Sequence, residues 1–134
     1  MNEHVPVVKI GRVLIASIPS DLGDDTALLL QEDLSNQIVE HAATGVIIDI
    51  SALDIVDTFI ARMLATIASV SRVLDALTIV VGMRPAVAIT LTELGLTLGG
   101  VRTAINGDRA FEILRSLDVT EEEDDLADLT DRAS

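Results

Sequence analysis

Two short runs rich in β-branched residues, at 5–10 and 13–18, begin the apolar pattern of the chain. Only Gly11 and Arg12 separate these runs, which predicts a β-hairpin with a two-residue turn. Residues Val46–Ile50 are apolar apart from Asp49, and such a run is typical of a central strand that is covered on both faces. Two further runs of the same length predict strands at 77–81 and 101–105.

Apolar residues between these strands recur at steps of three and four, which is the spacing of one face of a helix. The first predicted helix begins near Asp24 and is stopped by Gly45. Its buried stripe is expected to contain Ala27, Leu30, Leu34 and Ile38, with Ala42 as a further candidate. The second predicted helix begins at Asp57 or Thr58 and continues to about Leu74. Its buried stripe is expected to contain Ile60, Met63, Leu64, Ile67, Ser71 and Leu74.

Two more helices complete the predicted order of elements. Arg84 and Pro85 open the third helix, because proline suits the first helical position, and Gly95 closes it. Asp108 is expected to cap a fourth helix that extends through Leu117. The resulting order, β-β-α-β-α-β-α-β-α, predicts an α/β fold with a mostly parallel central sheet, because strands alternate with helices.

Composition removes most catalytic chemistry from consideration. The chain has 134 residues, 49% of them hydrophobic but only two aromatic, so a single domain with an aliphatic core is expected. It has no cysteine, which excludes disulfides and thiolate chemistry. Its histidines, His4 and His41, have no obvious nucleophile nearby in sequence, and Lys9 is the single lysine, so there is no phosphate-binding loop of the GxxxxGK type. We therefore expect no enzyme, metal site or cofactor.

Charge divides the chain into two parts. The net charge of −13 argues against a nucleic-acid partner, because binding phosphate requires clustered Lys and Arg. Residues 118–134 hold eight acids and one base, a charge of −7. We therefore expect a folded domain at 1–117 and an acidic, disordered C-terminal tail at 118–134. As an alternative, Leu126 and Leu129 would form the apolar side of a short helix that docks on a partner.

The sequence shows no export signal and no membrane span. A basic region followed by an apolar stretch is absent from its first residues. The most apolar region, 77–91, is interrupted and falls short of the roughly 20 apolar residues that a span requires. We expect a cytoplasmic protein without a membrane partner.

The connection from the central strand into the second helix, residues 51–62, carries the strongest candidate site. Asp57 and Thr58 stand where the start of a helix leaves backbone N–H groups unpaired and bears partial positive charge. Those donors suit a phosphate on Thr58, which would add about −1.5 to −2 of charge beside Asp54 and Asp57 and repel a docked partner. The alternative is that Asp57 or Thr58 only caps the helix, a contribution of about 1 kcal/mol.

Asp49 suggests a different site, a phosphate-accepting aspartate like that of a response-regulator receiver. A receiver also needs an acidic pair after its first strand and a lysine after its last strand. Here Asp24 and Asp25 stand at the start of a helix, and no lysine follows the last strand. Asp49 is also expected inside its strand rather than at the exit, so the pattern disfavours a receiver.

Three stretches of the chain resemble the STAS-domain family, the anti-sigma-factor antagonists. They are GVIIDIS at 45–51, VDTFIAR at 56–62 and RPAVAITLTELGL at 84–96. The resemblance covers about residues 5–117, and the third stretch is typical of the stressosome branch of the family. It implies the STAS (SpoIIAA-like) fold and a regulatory scaffold without catalysis of its own.

The resemblance also implies partners. Subunits of this branch assemble with paralogous STAS sensor subunits into a large homo- and hetero-oligomeric particle that sequesters a GHKL-type serine/threonine switch kinase. On stress the kinase phosphorylates the hydroxyl residue at the start of the second helix and is released, and a reset phosphatase reverses the modification. Carried onto this sequence, the phosphorylation site is Thr58, where the branch usually has serine. The kinase-docking residues, by position, are Asp54, Ile55, Asp57, Phe59 and Arg62.

Two regulatory hypotheses therefore stay open. The first is a stressosome scaffold that is switched by phosphorylation of Thr58 and controls a general stress response. The second is a stand-alone anti-sigma-factor antagonist that binds its kinase one to one without forming a large particle. A third hypothesis, a receiver or enzyme with Asp49 as acceptor, predicts an acyl phosphate instead of a phosphothreonine.

Overall fold

The computed structural model describes residues 5–93 and 101–117, which form one mixed five-stranded sheet with helices on both faces. The strands are β1 (Val7–Ile10), β2 (Val13–Ser17), β3 (Gly45–Asp49), β4 (Leu77–Val81) and β5 (Arg102–Ala104). The helices are α1 (Asp24–His41), α2 (Thr58–Val73), α3 (Pro85–Glu93) and α4 (residues 107–117). The predicted order of elements is confirmed. The expectations for His4, Gly95 and the acidic tail lie outside the described residues.

The sheet has the strand order β1-β2-β3-β4-β5 and is mostly parallel, as predicted. Only β1 and β2 pair antiparallel, with Ile10 opposite Val13, which confirms the two-residue turn. Gly11 adopts the left-handed conformation in that turn, with φ of 61°, which glycine reaches without steric cost. The pairs β2–β3, β3–β4 and β4–β5 are all parallel, so their carboxyl ends meet at one edge of the sheet.

The core has two parts, one on each face of the sheet. Val46 and Ile48 of β3 point into the larger part, which is covered by α1, α2 and α3. Ile47, between them, points into a smaller part that is covered by α4 through Ala110 and Leu114. The central strand is therefore buried on both faces, as its unbroken apolar run predicts. The apolar stripe expected for α1 is buried at Ala27, Leu30, Leu34 and Ile38. Ala42, its further candidate, is exposed because it lies beyond the last helical residue.

Gly45 has a different role from the one expected. Helix α1 ends before it, at His41, and Ala42 forms the C-cap in the left-handed conformation with φ of 49°. Gly45 instead begins β3, where a Cβ atom would lie 2.6 Å from Cδ1 of Leu114. Gly45 therefore leaves room for the side chain of Leu114, through which α4 packs closely against the sheet.

The expected cap of the last helix was also wrong. Helix α4 begins at residue 107, so Asp108 lies within its first turn. The backbone N–H of Arg109 donates to Oδ1 of Asn106 at 3.0 Å, which makes Asn106 the capping residue.

None of the helices within 5–93 and 101–117 is both long enough and apolar enough to cross a membrane.

Candidate functional site

The β3–α2 loop, residues 50–57, lies at the carboxyl edge of the parallel strands and is anchored from both ends. The N–H of Ile50 donates to the carbonyl of Val81 at 3.0 Å, and the N–H of Leu53 donates to the carbonyl of Ile50 at 3.0 Å. Leu53 and Val56 are buried in the larger part of the core. The loop between these anchors is consequently held in one conformation while its polar residues face solvent.

Asp57 and Thr58 form the start of helix α2. Asp57 is the N-cap residue, in extended conformation, and its Oδ1 accepts a hydrogen bond from the N–H of Ile60 at 2.9 Å. Thr58 is the first helical residue and is exposed. Within the described part of the chain, the Thr58 hydroxyl has no hydrogen-bond partner. The cap is therefore supplied by the aspartate, and the threonine hydroxyl is left accessible.

A shallow groove runs beside Thr58. Ile55 is 82% exposed and Phe59 is 37% exposed, and both line this groove together with Asp57. Its volume is about 210 Å³, and its opposite wall comes from the β2–α1 connection and the start of α1, at Pro19, Ser20, Leu22 and Asp24. Exposed apolar side chains next to an accessible hydroxyl are suited to contact with another protein.

The structure brings together some of the expected docking residues and separates others. Ile55, Asp57 and Phe59 share the groove. Arg62 is exposed one helical turn beyond Thr58, and residues at this spacing share one face of a helix. Asp54 does not line the groove, because its carboxylate forms an ion pair with the guanidinium of Arg84.

Arg84 is a site residue that the sequence pattern did not reveal. Its Nε–H donates to the carbonyl of Ser51 at 3.1 Å, while its terminal nitrogen pairs with Asp54, so one side chain contacts two points of the β3–α2 loop. From the sequence, Arg84 was assigned to the start of α3 and to the third stretch of the family resemblance, but to no site. The strand order could have revealed this contact. Since β3 and β4 are adjacent parallel strands, the residues that follow them meet at one edge of the sheet.

Gly82 and Asp49 also contact the start of the β3–α2 loop, at Ser51. Oδ1 of Asp49 accepts a hydrogen bond from the N–H of Ser51 at 2.8 Å. Gly82 has φ of 75°, and a Cβ atom there would lie 2.8 Å from Cβ of Ser51 and 2.9 Å from Oδ1 of Asp49. The β4–α3 connection therefore approaches the loop so closely that only glycine fits.

Asp49 itself lies elsewhere in its strand than expected. It is the last residue of β3, at the strand exit, and not inside the strand. Its carboxylate is half-buried and engaged by the backbone of Ser51. Across the described ranges, no cluster of three or more His, Cys, Asp or Glu side chains is arranged to hold a metal ion. The observed role of Asp49 is to fix the start of the β3–α2 loop.

The fold and the site together define a small α/β domain with an accessible hydroxyl beside a groove that exposed apolar side chains line. The chain belongs to the STAS-domain family, because the model of the STAS domain matches residues 4–99. Membership confirms the fold class that the sequence predicted.

Solved structures place the chain near the stressosome branch. A serine-to-glutamate variant of RsbS from Moorella thermoacetica is 37% identical, and the match covers 84% of this chain and 96% of that one with a TM-score of 0.74. A chain from a structure described as the molecular architecture of the stressosome, a signal integration and transduction hub, is 38% identical, with coverages of 84% and 97% and a TM-score of 0.74. The resemblance to the stressosome scaffold branch is therefore confirmed.

A curated relative has a longer chain. The RsbT co-antagonist protein RsbRA of Bacillus subtilis (strain 168) is 28% identical over 99 residues, which are 74% of this chain. The chain spans about a third of the length of that relative, 35%. The similarity therefore concerns only one part of RsbRA.

Proposed function

We propose that this protein is a non-catalytic, cytoplasmic scaffold of a bacterial stressosome that sequesters an RsbT-like switch kinase and releases it when Thr58 is phosphorylated. The observation that carries the proposal is the exposed hydroxyl of Thr58 at the start of α2, which has no hydrogen-bond partner among the residues described, in a chain that is 37% identical to the RsbS variant. The proposed scaffold domain is residues 1–117, and its oligomeric partners are RsbR-like STAS sensor subunits. The proposed output is control of a general stress response.

Kinase docking is the first step of the proposed mechanism. The kinase is expected to cover the groove and to contact Ile55 and Phe59, whose apolar area is uncovered in the isolated domain. Burying such area contributes roughly 25 cal/mol per Å². Charged side chains would surround this apolar contact and make polar contacts with the kinase; they are Asp54, Asp57 and Arg62. The groove presents Thr58 to the kinase without any rearrangement of α2.

Phosphoryl transfer is the second step. The Thr58 oxygen attacks the γ-phosphorus of ATP, so that the new O–P bond forms as the bond to ADP breaks and the hydroxyl proton leaves to a base or to solvent. The phosphate adds about −1.5 to −2 of charge. The start of α2 favours an anion at this position, and Arg62 lies at the (i, i+4) spacing that allows an ion pair. The protein therefore tolerates the modification while the docking surface becomes anionic.

Kinase release is the third step. The groove already contains Asp24 and Asp57, so the phosphate adds to an existing negative field. A partner that fitted the neutral hydroxyl would then have to bury a dianion, which costs more than burying a hydroxyl. A reset phosphatase that removes the phosphate would restore docking.

Kinase binding by variants at two positions of α2 tests the proposal. Thr58→Glu introduces charge at the switch, and Thr58→Val keeps the shape without the hydroxyl. Thr66→Glu is the matched control, because Thr66 is an exposed threonine further along the same helix. With an RsbT-like kinase in calorimetry, Thr58→Glu should lose at least about tenfold in affinity, equivalent to about 1.4 kcal/mol. Thr58→Val and Thr66→Glu should bind like the wild type.

Equal binding by Thr58→Glu and wild type would contradict the switch. Assembly is tested separately by sedimentation velocity of the chain mixed with an RsbR-like subunit. A large uniform particle is expected. A uniformly small species under all mixing conditions would contradict the scaffold and favour a stand-alone antagonist that binds its kinase one to one.

A further inference from the structure

A second cleft lies at the opposite edge of the sheet, where the parallel strands begin. It has a volume of about 300 Å³ and lies between the β1–β2 turn, the end of α2 and the face of α4. Its lining includes Arg12, Thr44, Arg72, Asp75, Leu77 and Leu117. The proposed switch at Thr58 does not use this cleft. The lining of the cleft is positively charged, whereas the protein as a whole is negatively charged.

The cleft is a local concentration of positive charge in an acidic chain. It contains two arginines and one aspartate, whereas the whole chain carries a net charge of −13. Among the described residues, neither Arg12 nor Arg72 forms an ion pair. Two guanidinium groups and one carboxylate, that of Asp75, leave the lining of this cleft with a net positive charge, which attracts a negatively charged occupant.

Backbone hydrogen bonds hold one wall of the cleft in place. Nε–H of Arg12 donates to the carbonyl of Ala42 at 3.1 Å, which fixes the direction of that side chain. The N–H of Thr44 donates to the carbonyl of Arg12 at 2.8 Å, and the N–H of Leu77 donates to the carbonyl of Thr44 at 3.0 Å. A preformed wall lowers the entropic cost of binding, because little needs to be ordered when the occupant arrives.

The sequence supplies an occupant at the rim of the cleft. Leu117 lines the cleft and is the last described residue of α4. The acidic segment 118–134 follows it directly, and residues 121–125 are five consecutive acids, EEEDD. A chain extends by at most about 3.6 Å per residue, so Glu121, four residues beyond Leu117, lies within about 14 Å of it. The acidic run is therefore tethered within reach of both arginines.

We propose that the acidic run 121–125 docks in cis on Arg12 and Arg72 and fills this cleft. An exposed ion pair is individually weak, and a few such pairs would not hold a free peptide in the cleft. A short tether raises the effective concentration of the run to the millimolar range, so several weak pairs suffice.

Distance measurement between two spin labels tests the proposal in the full chain. The protein has no cysteine, so Val73→Cys and Ala127→Cys together give two defined labelling sites. Val73 is 85% exposed and precedes the turn that lines the cleft, so a label there does not disturb the core. Doubly labelled chain is diluted into unlabelled chain, which makes the result independent of particle size. A single narrow distance population at low salt is expected.

Three variants of the doubly labelled chain sharpen the result. R12Q together with R72Q removes the positive charge of the cleft and should abolish the narrow population. Neutralising the run, with E121Q, E122Q, E123Q, D124N and D125N, should do the same without any change to the described domain. R102Q is the matched control, because Arg102 is exposed on β5 and does not line the cleft, and it should leave the population unchanged.

Salt and mixing experiments complete the test. The narrow population should be lost at 1 M salt, where the screening length falls to about 3 Å. A broad distribution in the wild type, or a narrow one that survives in both charge-removal variants, would overturn the proposal. A narrow population between chains labelled only at 73 and chains labelled only at 127 would show docking between two copies, and it would overturn docking in cis.

Discussion

The hydrogen bond between Asp57 and the backbone of Ile60 gives the sharpest stability prediction at the candidate site. Asp57→Ala removes this 2.9 Å cap, which leaves one N–H group of the first turn of α2 without its partner. Loss of an N-cap costs about 1 kcal/mol, and loss of a negative charge at the start of a helix costs a further 0.3–1 kcal/mol, roughly. We therefore expect Asp57→Ala to lower the free energy of unfolding by about 1–2 kcal/mol.

Asp57→Asn separates the two contributions. Asparagine caps about as well as aspartate, so only the interaction of charge with the helix start is lost, and the expected cost is below about 1 kcal/mol. Urea unfolding followed by circular dichroism measures both variants. With a slope of about 2 kcal/mol per M, Asp57→Ala should lower the midpoint by about 0.5–1 M, and Asp57→Asn by less than half of that. Equal midpoints for Asp57→Ala and wild type, or equal losses for the two variants, would refute the assignment of Asp57 as the cap.

Three further substitutions test the packing that supports the site, each by urea unfolding. Thr78→Val should stabilise the protein by about 1 kcal/mol, because the Thr78 hydroxyl is buried and has no hydrogen-bond partner within residues 5–93 and 101–117. A loss of stability would contradict this. Gly82→Ala should destabilise the protein by at least about 1 kcal/mol, because a side chain strains the left-handed backbone and the added methyl group would meet Ser51. An unfolding midpoint equal to that of the wild type would contradict this close approach of the β4–α3 connection to the loop. Gly45→Ala should lower the free energy of unfolding by about 1–3 kcal/mol, because the added methyl group would contact Leu114. This loss should be smaller in a Leu114→Val background. Strictly additive losses of the two substitutions would rule out the contact as the cause.

Local pattern was sufficient to predict most of the fold. The alternation of strands and helices, the two-residue turn at Gly11 and the buried stripe of α1 all follow from neighbouring residues in sequence. Gly45 was misassigned because its role depends on Leu114, which is 69 positions away in sequence and contacts it only in the folded protein. Asn106 and Asp108 both suit a helix start, so composition could not choose between them.

The candidate site was predicted only in part, because some of its features depend on neighbouring residues in sequence and others on contacts between distant residues. The cap at Asp57 and the accessible hydroxyl of Thr58 are local properties of a helix start and were found from the sequence. The contacts of Arg84 with Ser51 and Asp54 join residues about 30 positions apart, and they became visible only from the pairing of β3 with β4. The role of Thr58 as a phosphorylation site remains a prediction from family resemblance and exposure.

The central claim is that Thr58 is the hydroxyl that receives a phosphoryl group from the switch kinase. Intact-mass spectrometry after incubation with Mg-ATP and an RsbT-like kinase tests it most directly, on wild type, Thr58→Ala and the matched control Thr66→Ala. The account predicts one added phosphoryl group on wild type and on Thr66→Ala, and none on Thr58→Ala. An unmodified wild type in complex with the kinase would contradict the claim. A phosphoryl group that persists in Thr58→Ala but disappears in Asp49→Asn would contradict it as well, and it would identify a receiver-like acceptor instead.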